Sequence, residues 1–448
     1  MGKKLILYRE NVRVEPTSHL DPSGRIFYWN KRIFREIIDQ NAWNVYTRLL
    51  ESPLCPKLFD AGLIRTWIPD DVDLEGAVGI LEHEKIDYII SPAEWTLTML
   101  WDAATMVVNC LQILSQENYG FKDGHTRNVQ FIHCSPKWID FGSITENTGE
   151  RIGCLNEVRI YFIVPLWLTK LTGKTGRKLS YELIRESCST VSHTGRTIFS
   201  QGFLRFLPIR YFVKMKQFEK IGTGKKKSEA ERFFMHLKTY VQTLKPDEIP
   251  GELVGHQVRE GNHRDILKDD TVLTILKEIN PESVIIFRAG DGFYSFESEN
   301  SGYSVISAEF KETPLNTIYK RAQRENRRIT PVKMDFLFPT PPCLMGLGFD
   351  SSYDRLRADV SLAVSFMHST ILGEHCSMEL FTGIIGKYSK KASIIEFISP
   401  TDSVTGAGKR PGEYSRENLI HEMNNRGFSL KQEHVSGPGR HILVFVRD

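Results

Sequence analysis

The sequence has no long apolar run, no Cys-x-x-Cys motif and no strong excess of charge. Its densest apolar stretch, residues 160–168, is too short to cross a bilayer, so we predict no transmembrane segment. The seven cysteines are odd in number, which argues against a disulfide scaffold and favours a reducing cytoplasm. A net charge of +3 provides no concentrated basic face, and we therefore expect no nucleic-acid partner.

A chain of 448 residues, 41% hydrophobic and 25% charged, is long enough to bury two hydrophobic cores. Pro246 and the Pro250-Gly251 pair end a helix predicted over residues 229–244 and open a polar stretch. The predicted domains are therefore residues 1–250 and 260–448. The sequence does not predict the oligomeric state.

Residues 284–309 have the order strand, glycine turn, helix, strand and acid. The first four are apolar and mostly β-branched, which is typical of a strand buried on both faces. Gly290 and Gly292 supply a turn that lets the backbone approach a ligand, and Glu309 ends the second strand. This order predicts a Rossmann-like nucleoside site, in which the carboxylate accepts hydrogen bonds from two ribose hydroxyls.

Strands and helices alternate after this segment, which predicts a parallel, doubly wound α/β sheet. Further strands are predicted over residues 329–335, 358–368 and 393–398, and helices over residues 266–279, 317–325 and 413–426. Residues 428–434 and 442–447 flank a Gly437-Pro-Gly turn. They predict a β-hairpin that closes the sheet.

A parallel sheet closed by a carboxy-terminal hairpin resembles the class I S-adenosylmethionine-dependent methyltransferases. More narrowly, residues 260–448 resemble a bacterial methyltransferase family that includes nodulation proteins of the NoeA type. The segments that carry the narrower resemblance are Gly292-Phe-Tyr-Ser295, Ile318-Tyr-Lys-Arg-Ala-Gln, Met334-Asp335, Arg357-Ala-Asp359 and Met367-His368. The resemblance implies methyl transfer with S-adenosylmethionine as the cofactor.

In such enzymes the glycine turn passes under the methionine moiety, the acid after the second strand holds the ribose, and the acid after the third strand meets the adenine amine. The cofactor-binding residues that the resemblance implies are Gly290, Asp291, Gly292, Glu309, Met334 and Asp335. The family usually has an acid on the first strand and a glycine two places later, where this sequence has Ile286 and Arg288. A noncatalytic binding or scaffold protein is therefore an alternative.

A second set of polar residues lies in the amino-terminal half. Phosphoryl transfer needs a carboxylate beside the acceptor hydroxyl, an amide that holds metal and a second metal-binding aspartate. Asp123, Asn128 and Asp140 have the spacing of these groups, and residues 60–215 resemble the protein kinase and aminoglycoside phosphotransferase superfamily. The resemblance implies an α+β kinase-like domain. In that domain Asp123 would be the base, and Asn128 and Asp140 the metal ligands if Mg-ATP is bound.

A kinase also needs a glycine-rich loop over the phosphates and a lysine that pairs with them. The first 60 residues contain only Gly2 and Gly24, and Lys31 and Lys57 are candidates for the lysine by location alone. Three interpretations stay open for this half. It is a platform that presents a substrate, an active Mg-ATP phosphotransferase, or a domain in which the candidate residues only stabilise turns.

Methyl transfer requires alignment of donor and acceptor and, for some acceptors, a base. His368 follows the fourth predicted strand, at the edge where doubly wound sheets bind ligands, and is the candidate base. Asp359 opens that strand and is expected at the opposite edge. Glu396 lies inside the fifth strand, where a carboxylate is either half of an ion pair or a site acid. The predicted acceptor is a small molecule, a saccharide or a lipid-linked molecule.

Overall fold

The computed structural model describes residues 4–146, 154–172, 227–247, 266–342, 349–400, 402 and 414–448. The chain divides into two compact units. The first comprises Met1–Asp87, Ser91–Asp247 and Pro342–Phe349, and the second comprises Tyr88–Ile90, Glu248–Pro341 and Asp350–Asp448. Residues 248–265, in which we predicted the domain boundary, lie outside the described residues.

The first unit combines short strands with helices. Its strands are β1 Leu5–Leu7, β2 Arg13–Val14, β3 Gly24–Trp29, β4 Arg32–Ile37, β5 Thr66–Trp67, β6 Val72–Leu74, β7 Gly79–His83, β8 Tyr119–Phe121, β9 Val129–Ile132, β10 Ser135–Trp138 and β11 Ile144–Glu146. Its helices are α1 Gln40–Glu51, α2 Leu54–Ala61, α3 Leu97–Leu114, α4 Leu155–Val158, α5 Val164–Thr172 and α6 Lys227–Thr243.

Five of these strands form an antiparallel sheet with the order β2-β3-β4-β7-β5. Strands β3 and β4 are a hairpin that pairs from Gly24 with Ile37 to Trp29 with Arg32. On its buried face Phe27 and Phe34 stack with their ring centroids 5.1 Å apart. Smaller two-stranded sheets pair β1 with β6, β8 with β11 and β9 with β10.

Helix α3 is a core helix of the first unit. The Thr96 side chain accepts a hydrogen bond from the Met99 amide at 3.2 Å and caps its amino terminus. By length and hydropathy the stretch Leu97–Glu117 could cross a membrane, but 67% of it is buried inside the fold. Its burial inside the fold explains its apolar composition, and no other helix among the described residues is both long and apolar enough to cross a membrane.

The second unit is built on longer strands. They are β12 Ser283–Phe287, β13 Ser304–Glu309, β14 Ile329–Lys333, β15 Ala358–Ala363, β16 Ser389–Ile398, β17 Phe428–Gly437 and β18 Arg440–Arg447. The helices are α7 Ile266–Ile279, α8 Phe293–Asn300, α9 Glu312–Arg324, α10 Ser352–Arg355, α11 Met378–Tyr388 and α12 Arg416–Asn425.

These strands form one seven-stranded sheet with the order β14-β13-β12-β15-β16-β18-β17. Strands β12 to β16 are parallel, and β18 is antiparallel to both of its neighbours. The predicted parallel sheet and terminal hairpin are confirmed. Every residue of the central strands β12 and β15 is buried. The strand order reverses between these two strands, which is where doubly wound sheets hold their ligands.

Several predicted elements of the second unit have different bounds in the structure, and for two of them the reason is local. The apolar pattern extended the fourth strand to residue 368, but β15 ends at Ala363. Ser365 adopts a left-handed φ of 63°, and its amide donates to Glu396 Oε2 at 2.7 Å, which turns the chain out of the sheet. Helix α9 begins at Glu312 rather than at residue 317, because Pro314 lies in the first turn, where a missing amide is tolerated.

Candidate functional site

The turn after β12 depends on two glycines with left-handed backbones, Gly290 at φ 58° and Gly292 at φ 85°. A Cβ on Gly292 would lie 2.8 Å from Ile318 Cγ1, so this glycine lets α9 pack against the turn. A Cβ on Gly290 would meet only the Arg288 carbonyl oxygen, at 3.8 Å. Gly292 therefore serves packing, whereas Gly290 leaves open space beside the turn.

Glu309 lies opposite the glycines, as the sequence predicted. The Gly290 amide donates to Glu309 Oε2 at 3.1 Å, and the Lys311 amide donates to Oε1 at 2.9 Å. The residue is only 3% exposed. A carboxylate has about four lone-pair sites, so these two bonds leave capacity for further donors. The sheet thus brings the glycine turn and the acid together at its carboxyl edge.

The next strand along the edge, β14, is followed by Met334 and Asp335. The Met334 amide donates to the Glu309 carbonyl oxygen at 3.0 Å, and its side chain is buried. Asp335 Oδ1 accepts from the Leu337 amide at 3.0 Å. Its second oxygen has no hydrogen bond within the part of the chain that the structure describes. Asp291 Oδ1 accepts from the Phe293 amide at 3.1 Å and opens α8. Cofactor roles for these residues stay predictions.

Arg288, which stands where the resembled family has a glycine, is turned toward the segment after β15. Its guanidinium forms an ion pair with Glu374 and lies 3.5 Å from Ser369 Oγ. The guanidinium carbon also lies 5.5 Å from the centroid of the Phe366 ring. The positive charge beside the glycine turn is therefore neutralised within the protein.

Glu396 and Lys268 form a buried ion pair at the same edge. Lys268 Nζ lies 3.8 Å from Glu396 Oε2 and donates to Ser365 Oγ at 2.9 Å. The Ser365 amide and hydroxyl both donate to Glu396 Oε2, at 2.7 and 3.0 Å. The sequence left open whether Glu396 is half of an ion pair or a site acid, and the distances agree with the ion pair. Glu396 Oε1 is buried with no hydrogen-bond partner among the described residues.

His368 lies just beyond this pair and precedes the π-helical turn Ser369–Gly373. Burial lowers its pKa, and the Glu396 carboxylate opposes that shift. The ring is therefore neutral at neutral pH and able to accept a proton. Its Nδ1 is buried and, within the described residues, has no hydrogen-bond partner.

Asp359 lies at the other end of β15, as its position in the sequence indicated. Its Oδ2 accepts from Lys391 Nζ at 2.7 Å and from the Glu282 amide at 3.1 Å. These contacts tie the beginnings of neighbouring strands together, so Asp359 orders structure away from the carboxyl edge.

In the first unit, Asp140 is held by an arginine on β4. An Arg35 nitrogen lies 2.7 Å from Asp140 Oδ1, and another pairs with Asp21. A Cβ on Gly142 would lie 2.3 Å from the guanidinium carbon, so the Asp-Phe-Gly turn packs directly on Arg35. The Tyr46 hydroxyl of α1 donates to the Gly142 carbonyl oxygen at 2.8 Å.

The other two candidates of this half lie close to Asp140. The Asn128 carbonyl oxygen accepts from the Ile139 amide at 2.8 Å, and its Nδ2 is buried without a partner among the described residues. Burial raises the pKa of Asp140, Arg35 lowers it, and the nearby charges of Asp21 and Asp123 add to the rise. The structure therefore brings the three predicted positions together.

Sequence reasoning missed Arg35. Lys31, a candidate by location, lies in the β3–β4 turn with a φ of 62°, and Lys57 lies in α2. Neither is on β4. The hairpin pattern around Asn30 was the available signal, because it marks Arg35 as a charged residue inside the returning strand.

Comparison with known proteins gives one curated relative of nearly equal length. No family model matches the sequence. In an alignment 471 positions long, which covers 96% of this chain and 95% of that protein, the chain is 21% identical to the nodulation protein NoeA of Rhizobium meliloti strain 1021. The similarity that the sequence motifs indicated thus extends over both units.

Methyltransferases recur among the solved structures that align with this chain. Magnesium protoporphyrin IX methyltransferase of Synechocystis PCC 6803, crystallised with SAM, aligns with a TM-score of 0.33 and 14% identity, over 44% of this chain and 92% of that one. The bifunctional kinase-methyltransferase WbdD aligns with a TM-score of 0.29 and 14% identity, over 44% of this chain and 41% of that one. Both alignments are partial and low in identity, and the fold class is defined by the strand order of the sheet.

Proposed function

We propose that the second unit transfers a methyl group from S-adenosylmethionine to a small-molecule, saccharide or lipid-linked acceptor. The observation that carries the proposal is the contact between Glu309 and the Gly290 amide at the point where the strand order reverses. A nucleoside site requires a carboxylate that can accept hydrogen bonds from the ribose and a glycine that lets the ligand approach the backbone closely. Glu309 and Gly290 provide these two features.

The residues at this edge fit the cofactor. Glu309 would accept hydrogen bonds from the ribose hydroxyls, and Asp335 would accept one from the adenine amine through its second oxygen. Gly290 would leave room for the methionine moiety, since a side chain there would project into open space. The bound cofactor supplies a methyl group that its sulfonium already activates. The contribution of the chain is therefore alignment of donor and acceptor.

The charge at the glycine turn also supports binding. An unpaired guanidinium would repel the sulfonium and the ammonium group of the cofactor. Arg288 is instead paired with Glu374, so its charge is compensated before any ligand arrives. This pairing is the reason we favour the enzyme over the noncatalytic alternative.

His368 is the residue that would remove a proton from the acceptor. Its lowered pKa keeps the imidazole neutral, and it lies at the carboxyl edge of the central strands. The Lys268–Glu396 pair beside it is neutral as a whole, which suits an uncharged hydroxyl better than a cationic acceptor. A saccharide is consistent with this environment.

For the first unit we favour the kinase-like platform that presents an acceptor. In kinases the third strand carries the lysine that pairs with the phosphates, and an aspartate holds magnesium. Here the third strand in sheet order, β4, carries Arg35, which is bonded to both Asp21 and Asp140. A guanidinium at this carboxylate competes with a metal ion. Binding of Mg-ATP that is lost in Asp140→Ala would favour the phosphotransferase instead.

The test of the methyl-transfer proposal is a labelling experiment. The purified chain is incubated with methyl-tritiated S-adenosylmethionine and with separate small-molecule, saccharide and lipid extracts. We expect label in one fraction with the wild-type protein, and loss of that label with Glu309→Ala and with Asp335→Ala. Glu325→Ala, at the exposed end of α9, is the matched control. Labelling that both site variants retain would refute the proposed site.

A further inference from the structure

A cavity lies at the edge of the seven-stranded sheet that is opposite to Glu309. Its volume is about 970 Å³, near the upper end of the range of small-molecule sites, roughly 300–1,000 Å³. Arg357, immediately before β15, and Arg447, the last residue of β18, both line it. Because β18 is antiparallel to the parallel strands, its end and the beginning of β15 meet at this edge.

Arg357 has no counterion among the residues that the structure describes. The residue is half-buried, and its guanidinium has no ion pair or hydrogen bond with any residue that the structure describes. Its Nε is buried from solvent. A partly buried charge that lacks both a partner and full hydration is costly, so a structural role does not account for it.

Arg447 adds a second positive charge to the cavity. It donates hydrogen bonds to the carbonyl oxygens of Gly386 and Ser389 at 2.7 and 2.9 Å, which fix the guanidinium but do not neutralise it. Burial, and then the charge of Arg357, lower the pKa of Arg447. The two arginines therefore repel each other, and an anion between them would remove that repulsion.

Two carboxylates also line the cavity, and each contacts another residue of the lining. Asp354 Oδ2 accepts from Ser351 Oγ at 2.5 Å, and Glu379 Oε1 lies 3.6 Å from an Arg426 nitrogen. Lys387 Nζ lies 4.6 Å from the centroid of the Tyr353 ring and adds a further positive charge. With Arg426, the four cations of the lining outnumber its two carboxylates, so the described lining has an excess of positive charge.

We propose that this cavity binds a phosphorylated small molecule whose phosphate lies between Arg357 and Arg447. A guanidinium presents a planar set of donors that matches phosphate oxygens, often through two parallel hydrogen bonds. The cavity is much larger than an inorganic phosphate. Tyr353, Leu380 and Ile384 provide the apolar surface that a sugar or a base would cover. The site is separate from the proposed cofactor edge and does not depend on methyl transfer.

The experiment measures binding of defined probes by calorimetry and by thermal unfolding of the full chain. The probes are inorganic pyrophosphate and glucose 1-phosphate, and glucose and sodium chloride at matched ionic strength are the comparators. We expect both phosphates to bind and to raise the unfolding temperature, and the comparators to do neither. Binding to phosphatidic acid vesicles without binding to either soluble phosphate would overturn the proposal, because the phosphate would then belong to a lipid.

Two arginine variants separate a ligand role from a structural one. Arg357→Gln should weaken binding of glucose 1-phosphate by about tenfold or more. The same variant should unfold at the same or a higher temperature without ligand, because it removes repulsion and breaks no ion pair or hydrogen bond with a described residue. Arg324→Gln, an equal charge change on the exposed face of α9, should bind like wild type. Unchanged binding in Arg357→Gln, or a lower unfolding temperature of that variant without ligand, would overturn the assignment.

Discussion

The glycine turn allows a prediction that separates packing from ligand approach. Alanine at either Gly290 or Gly292 must adopt a positive φ, which costs about 1–2 kcal/mol. At Gly292 the new Cβ would also lie 2.8 Å from Ile318, and overpacking of this kind costs roughly 1–3 kcal/mol more. Gly292→Ala should therefore be the more destabilising substitution, with a total cost of about 2–5 kcal/mol.

Ligand binding, in contrast, should be weakened by the substitution at Gly290. Gly290→Ala places a methyl group in the open space beside the amide that contacts Glu309. We expect this variant to bind S-adenosylhomocysteine about tenfold or more weakly. Gly302→Ala is the matched control. Gly302 also has a positive φ, of 91°, and a Cβ added there would meet no described atom within 4 Å. The residue precedes β13 and so lies at the edge of the sheet opposite to the glycine turn. The control variant should show similar strain and unchanged binding.

Thermal unfolding and calorimetric titration of the three variants complete the test. For a unit of this size each kcal/mol corresponds to a shift of about 2–4 °C. Equal ligand binding by Gly290→Ala and Gly302→Ala would refute a role for the open space at Gly290. A Gly292→Ala variant no less stable than the other two would show that the contact with Ile318 is unimportant.

The remaining predictions concern charges in the second unit. Lys268→Met should lower the free energy of unfolding by about 3–5 kcal/mol, because it leaves the Glu396 carboxylate buried and unpaired. Adding Glu396→Gln to this variant should recover part of the loss in urea unfolding. Losses that are simply additive in the double variant would contradict the ion pair. Burial raises the pKa of Asp359, but the Lys391 and Glu282 hydrogen bonds bring it below the usual value. Its stabilisation is present above the ordinary aspartate pKa and lost as pH falls through the folded value. Asp359→Asn should therefore cost about 1 kcal/mol at pH 7 and nothing at the lowest pH at which the protein stays folded, whereas a pH-independent loss would refute the ion pair.

Much of the second unit could be predicted because its signals are local. Buried parallel strands require continuous apolar runs, and left-handed turns require glycine, so the sequence of β12, its turn and β13 indicates both the fold and the position of Glu309. The helix Ile266–Ile279 and the terminal hairpin were likewise found from periodicity and turn residues.

The electrostatic partners could not be predicted in the same way. Arg288 meets Glu374, 86 residues away in the chain, and Arg35 meets Asp140, 105 residues away. No local pattern specifies such pairs, since they depend on the packing of separate elements. The same limit applies to β15, whose early end follows from a long-range hydrogen bond between Ser365 and Glu396.

The central claim is that the carboxyl edge of the second unit binds the methyl donor. The most direct measurement is calorimetric titration of the purified chain with S-adenosylhomocysteine, repeated with Glu309→Ala and with the surface control Glu325→Ala. The account predicts micromolar binding by the wild type and the control, and binding at least about tenfold weaker in Glu309→Ala, because the ribose loses its acceptor. No binding by a folded wild-type chain, or equal binding by all three proteins, would contradict it.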